Sequence, residues 1–322
     1  MLWYTDIMYY IGIDLGGTSV KAGVIDGNGN ILAKDSVKTR AAKPYVEICA
    51  DMAALAKKVA DEAGVKLCDI AGIGVGAPGI IDSARGVVTY SCNFNWAKVP
   101  IAAEIQKHTG LPVKAANDAN AAALGEALFG GGKGYGDSVL LTLGTGVGSG
   151  IIIGGKIAEG FMSAGGEGGH IVIRSGGAPC ACGRRGCFET YASATGLIRL
   201  TKEAMQKTAD SVMWKLCRGD INNAGGKTAF TAMKQGDKPG AAVVRKYIKY
   251  LGEGIVNIIN LLRPEAIILG GGICAEGEYL LAPLRKFVKK YTYGGKYIPQ
   301  TKLVTARLEN DAGIVGAAAL FM

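Results

Sequence analysis

The sequence predicts an α/β fold with mixed sheets, built from two similar domains. Apolar runs of strand length alternate with segments of helical periodicity, an order typical of α/β proteins. Each half of the chain also opens with the same pattern of strand, glycine turn and strand, at Tyr9 and again at Ser138. This recurrence indicates a duplicated domain. Glycine supplies 50 of the 322 residues, which indicates many tight turns and close approaches of backbone to backbone or ligand.

In the first half, glycine-containing turns separate three predicted strands, and capping signals mark the helices. Helical spacing of apolar residues predicts the first helix, and Pro100 and Gly110 bracket the second. Asn117 and Asp118 are expected to cap an alanine-rich third helix. The predicted strands are 9–14, 20–26, one from Ile31, 70–76 and 113–116, and the first two helices are 46–63 and 100–110.

The second half repeats the opening and then adds helical segments. Strands are predicted at 138–143 and 151–153, with the glycine turn 144–150 between them. A long helix is expected near 241–262, followed by a strand at 266–269 and a final helix after Asp311.

Composition and charge favour an enzyme of a reducing compartment over a nucleic-acid or membrane protein. The net charge is +9, but the basic residues are scattered, with no basic arm and no nucleic-acid-reading motif. We find no signal peptide and no apolar run of membrane-spanning length. Of the eight cysteines, five are isolated in apolar surroundings, which is typical of free buried thiols. We therefore expect a cytoplasmic protein without nucleic-acid or membrane partners.

Three glycine motifs are candidates for phosphate binding. The first is Asp14-Leu15-Gly16-Gly17-Thr18 with Lys21 close behind, where free backbone N–H groups can face phosphate oxygens and Asp14 can hold Mg²⁺ through water. A plain hairpin with a polar tip is the alternative. The others are Gly144-Thr145-Gly146, at the equivalent place in the second half, and Gly270-Gly271-Gly272, where a strand enters a loop. A single glycine motif is weak evidence, but three favour a phosphate clamp.

The pair Asn117-Asp118 is a candidate for acid–base chemistry. A kinase that phosphorylates an alcohol needs a carboxylate to accept the hydroxyl proton, and Asp118 falls at a predicted strand end and helix start. The alternative is that the pair only caps the helix.

His170, Cys180, Cys182 and Cys187 are a candidate zinc site. Three thiolates and one imidazole satisfy tetrahedral Zn²⁺, and the glycines between them allow tight turns. Four protein ligands close the site, so the metal is expected to be structural. Chance clustering and a redox pair are the alternatives, although the Cys-x-Cys spacing is not that of redox motifs. His108 is expected to lie on the surface of a helix.

Together these motifs resemble the ROK family of repressors, open reading frames and kinases, and most of all its bacterial glucokinases. The resemblance runs from about Ile11 to the end of the chain. It is carried by DLGGT, ANDANAAALGE, LGTGVGSG, the EGGH and CxCGxxGC block and LGGGI, in the family's order. Ser149 departs from the family, which often has Gly or Ala there.

The resemblance implies roles for individual residues. Asp118 would be the catalytic base at the 6-hydroxyl of the sugar, and His170 would serve zinc and sugar through its two ring nitrogens. Zinc would thereby fix the loop that carries the sugar-binding carboxylates. The implied sugar-binding set is Gly79, Asn93, Asn117, Asp118, Glu167, His170 and Glu189.

The resemblance also implies two ribonuclease H-like domains of the actin and hexokinase type around a central cleft. The smaller would comprise residues 1–118 with a C-terminal helix at 306–322, and the larger 119–305 with the zinc-binding insertion. The implied substrates and cofactors are glucose, ATP, Mg²⁺ and structural Zn²⁺, and relatives are generally dimers or larger.

Two other functions remain open. A sugar-sensing repressor of the same family would need a DNA-binding segment before Asp14, for which the sequence leaves no room. A kinase for an N-acylhexosamine such as N-acetylmannosamine or N-acetylglucosamine, or for fructose, shares the motifs and differs in loop shape.

Overall fold

The computed structural model describes residues 8–322 and is an alternation of strands and helices. The part of MLWYTDIM that precedes Met8 lies outside the described residues. The strands are β1 (Tyr9–Leu15), β2 (Ser19–Asp26), β3 (Ile31–Lys38), β4 (Ile70–Ala77), β5 (Ile80–Asp82), β6 (Val87–Ser91), β7 (Trp96–Val99), β8 (Val113–Asn117), β9 (Ser138–Leu143), β10 (Val147–Ile153), β11 (Lys156–Ile157), β12 (Ala266–Gly270) and β13 (Lys302–Thr305). The α-helices are α1 (Tyr45–Glu62), α2 (Ile101–Thr109), α3 (Asp118–Leu128), α4 (Glu189–Ala192), α5 (Ala194–Lys207), α6 (Val212–Leu216), α7 (Thr228–Lys234), α8 (Lys238–Leu262), α9 (Glu278–Tyr291) and α10 (Ala312–Ala318).

The first sheet has the strand order β3-β2-β1-β4-β8. Its first three strands are antiparallel, because short turns connect them, and β4 and β8 run parallel to β1. The parallel strands β1 and β4 are almost wholly buried, as expected for strands covered on both faces. The amphipathic helix α1 packs its apolar side on this sheet and forms a core with residues of β1, β2 and β4.

The second five-stranded sheet has the order β11-β10-β9-β12-β13. When the strands are numbered in chain order within each sheet, both sheets have the order 3-2-1-4-5. The prediction of a repeated architecture is therefore confirmed at the level of topology. In both sheets the first strand runs into a glycine turn at its carboxyl end, which places the two glycine motifs at equivalent positions.

Local capping explains why the long helices begin and end where they do. Asn117 accepts hydrogen bonds from the N–H groups of Ala119 and Asn120 at the start of α3. Asp237 caps α8 in the same way through the N–H of Gly240. Helix α2 ends at Gly110, whose φ of 73° is in the left-handed region. His108 on α2 is exposed, as predicted.

The structure also differs from the sequence predictions in several places. Strand β10 begins at Val147, within the predicted glycine turn 144–150, and Cys68 and Cys92, expected to be buried thiols, are exposed. A three-stranded sheet of order β5-β6-β7 was not predicted, because its strands are short and their periodicity is weak. The predicted C-terminal helix at 306–322 is too long, since the α-helix comprises only Ala312–Ala318. The N–H groups of Arg307 and Leu308 donate to a side chain of α3 instead of forming a helical turn, and Glu309–Asp311 is a 3-10 turn.

Contacts divide the chain into two compact units. Unit 1 comprises 1–138, 150–166 and 307–322, and unit 2 comprises 139–149 and 167–306. The limits of these units reflect where residue contacts are dense. The predicted domains, 1–118 with 306–322 and 119–305, have different limits and stay a prediction. Among the described residues, no helix combines the length and apolar character that crossing a membrane requires.

Candidate functional site

The first glycine motif forms the tight turn between β1 and β2. Gly16 donates its N–H to the carbonyl of Ser19 at 3.0 Å, and its own carbonyl accepts the hydroxyl of Thr39 at 2.6 Å. Gly17 and Thr18 at the tip are exposed, and nothing lies within 4 Å of the position of a Cβ on Gly17. The turn therefore presents open backbone to solvent, as a phosphate-binding loop requires.

Two carboxyl groups of unit 1 lie in surroundings that favour their neutral form. Burial raises the pKa of Asp118, against the opposing effect of hydrogen bonds to its carboxylate, one of them from the N–H of Ala119 at 2.8 Å. Burial also raises the pKa of Asp14, which Lys21 lowers and the charge of Asp118 raises. Asp14 of β1 pairs with Gly76 of β4, and the next residue of β4 pairs with Asn117, so the two acids, distant in sequence, lie in one neighbourhood. A raised pKa suits a carboxylate that must accept a proton.

Asn117, the residue before Asp118, is hydrogen-bonded to Gly79, another of the predicted sugar-binding residues. Its side-chain N–H donates to the carbonyl of Gly79 at 3.0 Å, while its side-chain oxygen caps α3. Gly79 has a φ of 114°, and a Cβ there would lie 2.2 Å from the carbonyl oxygen of Tyr90. Only glycine fits this position without strain. The structure therefore brings Gly79, Asn117 and Asp118 together, as one polar group at the start of α3.

The other two glycine motifs are neighbours in unit 2. Gly271, with a φ of 99°, lies so close to the end of β9 that a Cβ would be 2.3 Å from the carbonyl oxygen of Leu143. Gly144 accepts the N–H of Ala194, at the start of α5. Gly144, Thr145 and Gly272 are exposed. The loops 144–146 and 270–272 therefore form one glycine-rich surface at the ends of β9 and β12.

Glu189 links the glycine loop of unit 2 to the cysteine cluster. Its carboxylate accepts the N–H of Val147 at 3.2 Å, and a Cβ on Gly146 would lie 2.1 Å from that carboxylate. The other carboxylate oxygen lies 3.6 Å from the sulfur of Cys180. One side chain thus contacts two of the predicted motifs.

The predicted metal ligands converge on one point. One ligand atom from each of His170, Cys180, Cys182 and Cys187 lies within 4.8 Å of all the others. Tetrahedral zinc with Zn–S bonds of about 2.3 Å separates two sulfurs by about 3.8 Å. The sulfurs of Cys182 and Cys187 are 3.7 Å apart, and 3.6 Å separates Cys180 Sγ from His170 Nδ1. The donor set and its spacing therefore fit Zn²⁺, with Nδ1 of His170 as ligand and Nε2 left for another partner.

The backbone around this cluster explains its glycines. Residues Val172 and Cys187 form an isolated β-bridge, and Cys180 donates its N–H to the carbonyl of Arg184. Gly186 has a φ of 86°, and a Cβ there would lie 1.8 Å from the carbonyl oxygen of Arg174. A side chain at 186 would therefore push the segment that carries Cys187 away from the segment at Arg174.

Asn93, Glu167 and Ser149 are the remaining residues that the sequence analysis singled out. Asn93 is exposed in the turn between β6 and β7, where its side-chain oxygen lies 3.3 Å from the sulfur of Cys92. Glu167 is exposed, and its carbonyl accepts the N–H of His170. Ser149, a departure from the family pattern, accepts the N–H of Gly168 at 2.8 Å and so supports the turn that carries His170. Glu167 is therefore joined through its backbone to another predicted site residue, His170, whereas the side chain of Asn93 lies beside Cys92.

These features define a class: duplicated α/β proteins with a glycine turn after the first strand of each sheet. The chain belongs to the ROK family, whose model matches residues 10–322. The chain is 38% identical to a glucokinase of Streptomyces coelicolor over 312 residues, which are 96% of either protein. It is 31% identical to an N-acetylgalactosamine kinase of Shewanella over 321 residues, 97% of this chain and 96% of that protein.

The fold prediction is confirmed by a solved structure. The crystal structure of a ROK family glucokinase from Streptomyces griseus in complex with glucose and AMPPNP is 36% identical to the chain. The match covers 97% of this chain and 98% of that one, with a TM-score of 0.79. The predicted ribonuclease H-like domains of the actin and hexokinase type, and the resemblance to ROK glucokinases, are therefore confirmed.

Proposed function

We propose that the protein is an ATP-dependent glucokinase, which transfers the γ-phosphoryl group of Mg-ATP to the 6-hydroxyl of glucose. The observation that carries the proposal is the 38% identity with a glucokinase across 96% of both chains. It is supported by the similarity to a glucokinase that binds glucose and AMPPNP. The proposal includes a cytoplasmic enzyme that assembles as a homodimer or a larger homo-oligomer.

In this mechanism Asp118 accepts the proton of the attacking hydroxyl. The N–H of Ala119 donates to one carboxylate oxygen and so orients the carboxylate at the start of α3. Because burial raises the pKa of Asp118, its carboxylate is more basic than an exposed one. Asn117 and the backbone of Gly79, already joined by a hydrogen bond, would orient the sugar beside this base, together with Asn93.

The remaining predicted residues serve the phosphates and the other sugar hydroxyls. Asp14 would hold Mg²⁺, which neutralises charge on the transferred phosphoryl group, with Gly16, Gly17, Thr18 and Lys21 beside the phosphates. The loops 144–146 and 270–272 would receive the nucleotide. Glu167, Glu189 and Nε2 of His170 would bind sugar hydroxyls. Structural Zn²⁺, held by His170 and the three cysteines, would fix the orientation of the His170 ring.

The first experiment replaces the proposed base. Asp118→Asn keeps the size of the side chain and an oxygen that can accept from Ala119, but it removes the proton acceptor. We expect kcat to fall by about 10²–10⁴-fold while glucose still binds. Steady-state rates and calorimetric glucose binding measure the two effects. Retention of more than about a tenth of the wild-type rate would contradict the role of Asp118.

An N-acylhexosamine kinase is the second candidate function. It is favoured by the 31% identity with an N-acetylgalactosamine kinase over nearly the whole of both chains. Values of kcat/KM for glucose, mannose, fructose, N-acetylglucosamine, N-acetylmannosamine and N-acetylgalactosamine at saturating Mg-ATP decide between the two. We expect glucose to be the best substrate, because a buried polar group left without its hydroxyl partner can cost ~10⁴–10⁵-fold. An acylated sugar that outperforms glucose would make this second function the correct one.

A further inference from the structure

Helix α3 contains a buried carboxylate that the proposed mechanism does not use. Glu126, about two turns after Asp118, is 0% exposed, and its hydrogen bonds come from backbone N–H groups. One oxygen accepts from Leu308 at 2.7 Å, the other accepts from Gly131 at 2.7 Å, and the N–H of Arg307 lies 3.0 Å from both. Burying a carboxylate is costly unless such donors satisfy it, so this is a built arrangement.

The donors belong to two segments of unit 1 that are far apart in sequence. Gly131 follows the end of α3, whereas Arg307 and Leu308 begin the C-terminal stretch that leads into α10. Glu126 therefore ties the end of the helix that begins at Asp118 to the start of the C-terminal stretch.

The C-terminal stretch in turn contacts the proposed phosphate-binding residues. The carbonyl of Asn310 accepts the ammonium of Lys21 at 3.4 Å. Gly313 lies against Asp14, since a Cβ on this glycine would be 2.7 Å from the carboxyl carbon. Asp311 pairs with Lys34 on β3 at 2.7 Å. Residues 310–313 thus form one wall of the neighbourhood of Asp14 and Lys21.

Helix α10, which continues from this wall, packs its backbone directly against neighbouring elements. A Cβ on Gly316 would lie 1.7 Å from the carbonyl oxygen of Ala121 in α3. A Cβ on Gly12 of β1 would lie 1.8 Å from the carbonyl oxygen of Ile314, and one on Gly74 of β4 would lie 1.7 Å from that of Ala317. The backbone of α10 is therefore in contact with two strands and with α3. A displacement of residues 307–309, which precede α10, would consequently move residues 310–313.

We propose that Glu126 is a positioning residue that holds residues 307–313 against the β1–β2 turn. It thereby aligns the donor-phosphate residues Asp14 and Lys21 with the acceptor base Asp118. The inference rests on the proposed phosphotransfer function. Glu126 touches neither substrate and acts only through the segment that it holds.

The test is Glu126→Gln, which keeps the volume of the side chain but turns one acceptor oxygen into a donor. That NH₂ group would face a backbone N–H, so the C-terminal stretch loses part of its anchor. We expect kcat to fall by about 10–100-fold, because a shift near 1 Å of reacting groups can cost ~10²-fold. The KM for Mg-ATP should rise, whereas the Kd for glucose, measured without nucleotide, should not change.

Asp237→Asn is the matched control for a loss of stability alone. Asp237 is a buried carboxylate of unit 2 that accepts from the N–H groups of Val212 and Gly240 and from the hydroxyl of Ser211. We expect this variant to lower Tm to a similar extent and to keep kcat and the KM for Mg-ATP. The inference is overturned if Glu126→Gln loses no more kcat than Asp237→Asn, or if its glucose Kd rises in proportion to its loss of activity.

A second variant covers the case in which Glu126→Gln does not fold. Lys34→Ala removes the ion pair with Asp311, and the lysine side chain is 52% exposed, so folding should persist. We expect a higher KM for Mg-ATP at unchanged Tm, and a wild-type KM in this variant overturns the inference. A wild-type enzyme that phosphorylates no hexose would instead refute the proposed function itself.

Discussion

Gly146→Ala tests the proposed sugar-binding role of Glu189 separately from the stability of the fold that carries this residue. The backbone of Gly146 is outside the left-handed region, so alanine is conformationally allowed. Its Cβ would, however, lie 2.1 Å from the Glu189 carboxylate, where ordinary contacts begin at 3.4 Å. The carboxylate must therefore move by about 1.3 Å, the difference between these two distances, and give up its hydrogen bond from Val147.

The magnitude follows from that displacement. The obstacle is the mobile end of a side chain and not backbone, so the loop and the cysteine cluster should remain folded. Misplacing a substrate-positioning group by about 1 Å can cost ~10²-fold, and a lost hydrogen bond to a charged group costs about 1.5–3 kcal/mol. We expect kcat/KM for glucose to fall by about 10–100-fold, with zinc content and Tm close to wild type.

The assay combines calorimetric glucose binding without nucleotide and steady-state kinetics. Gly144→Ala, in the same loop, is the control for sugar binding, because nothing lies within 4 Å of the position of its Cβ. Its glucose Kd should equal that of the wild type, whereas its KM for Mg-ATP tests the phosphate role of the loop. Unchanged glucose binding and activity in Gly146→Ala would refute the role of Glu189.

Three further predictions concern the metal and the proposed base. Metal analysis should find one Zn²⁺ per chain. The variants Cys180→Ser, Cys182→Ser and Cys187→Ser should each lose the zinc and have a lower Tm, because bound structural zinc contributes folding free energy. Carefully purified wild-type protein without zinc would contradict the proposed metal site. Because burial raises the pKa of Asp118, kcat should decline toward acid at a higher pH than for an ordinary aspartate of pKa 3.8. Above that raised pKa, the buried ionised carboxylate of Asp118 destabilises the folded state. The variant Asp118→Asn should therefore have a higher Tm than the wild type at neutral pH, and this difference should disappear near pH 3.8. A difference in Tm that does not depend on pH would contradict the conclusion that burial raises the pKa of Asp118.

The sequence predicts those features that depend on neighbouring residues. The cap of α3 by Asn117 follows from local chemistry, as does the end of α2 at Gly110, and both are confirmed. The histidine and cysteine cluster could be predicted because its residue types are uncommon and their spacing is short. The repeated strand order was indicated by the recurrence of one pattern, in which glycine follows the first strand of each half.

Features that depend on distant segments could not be predicted in this way. Gly12, Gly74 and Gly316 allow α10 to touch β1, β4 and α3, but nothing near them in the sequence indicates which segment approaches. Glu126 offered one signal, a single acidic residue in an otherwise small and apolar stretch of α3. Its partners, Arg307 and Leu308, become neighbours only in the folded chain, and for the same reason the C-terminal helix was predicted too long.

The proposed metal site and the proposed sugar site converge on the few residues between Cys187 and Glu189. Cys187 pairs with Val172 in a β-bridge, the ring of Phe188 is fully buried, and Glu189 begins α4. A Cβ on Gly254 of α8 would lie 2.3 Å from the Phe188 ring, so this aromatic side chain anchors the segment directly on α8. Zinc loss should therefore release one of two anchors and reduce both stability and sugar affinity. Gly146→Ala moves only the carboxylate and should reduce sugar affinity alone. If both perturbations lower Tm equally, the carboxylate is part of the structural support of the segment, and its proposed role at the sugar must be reassigned.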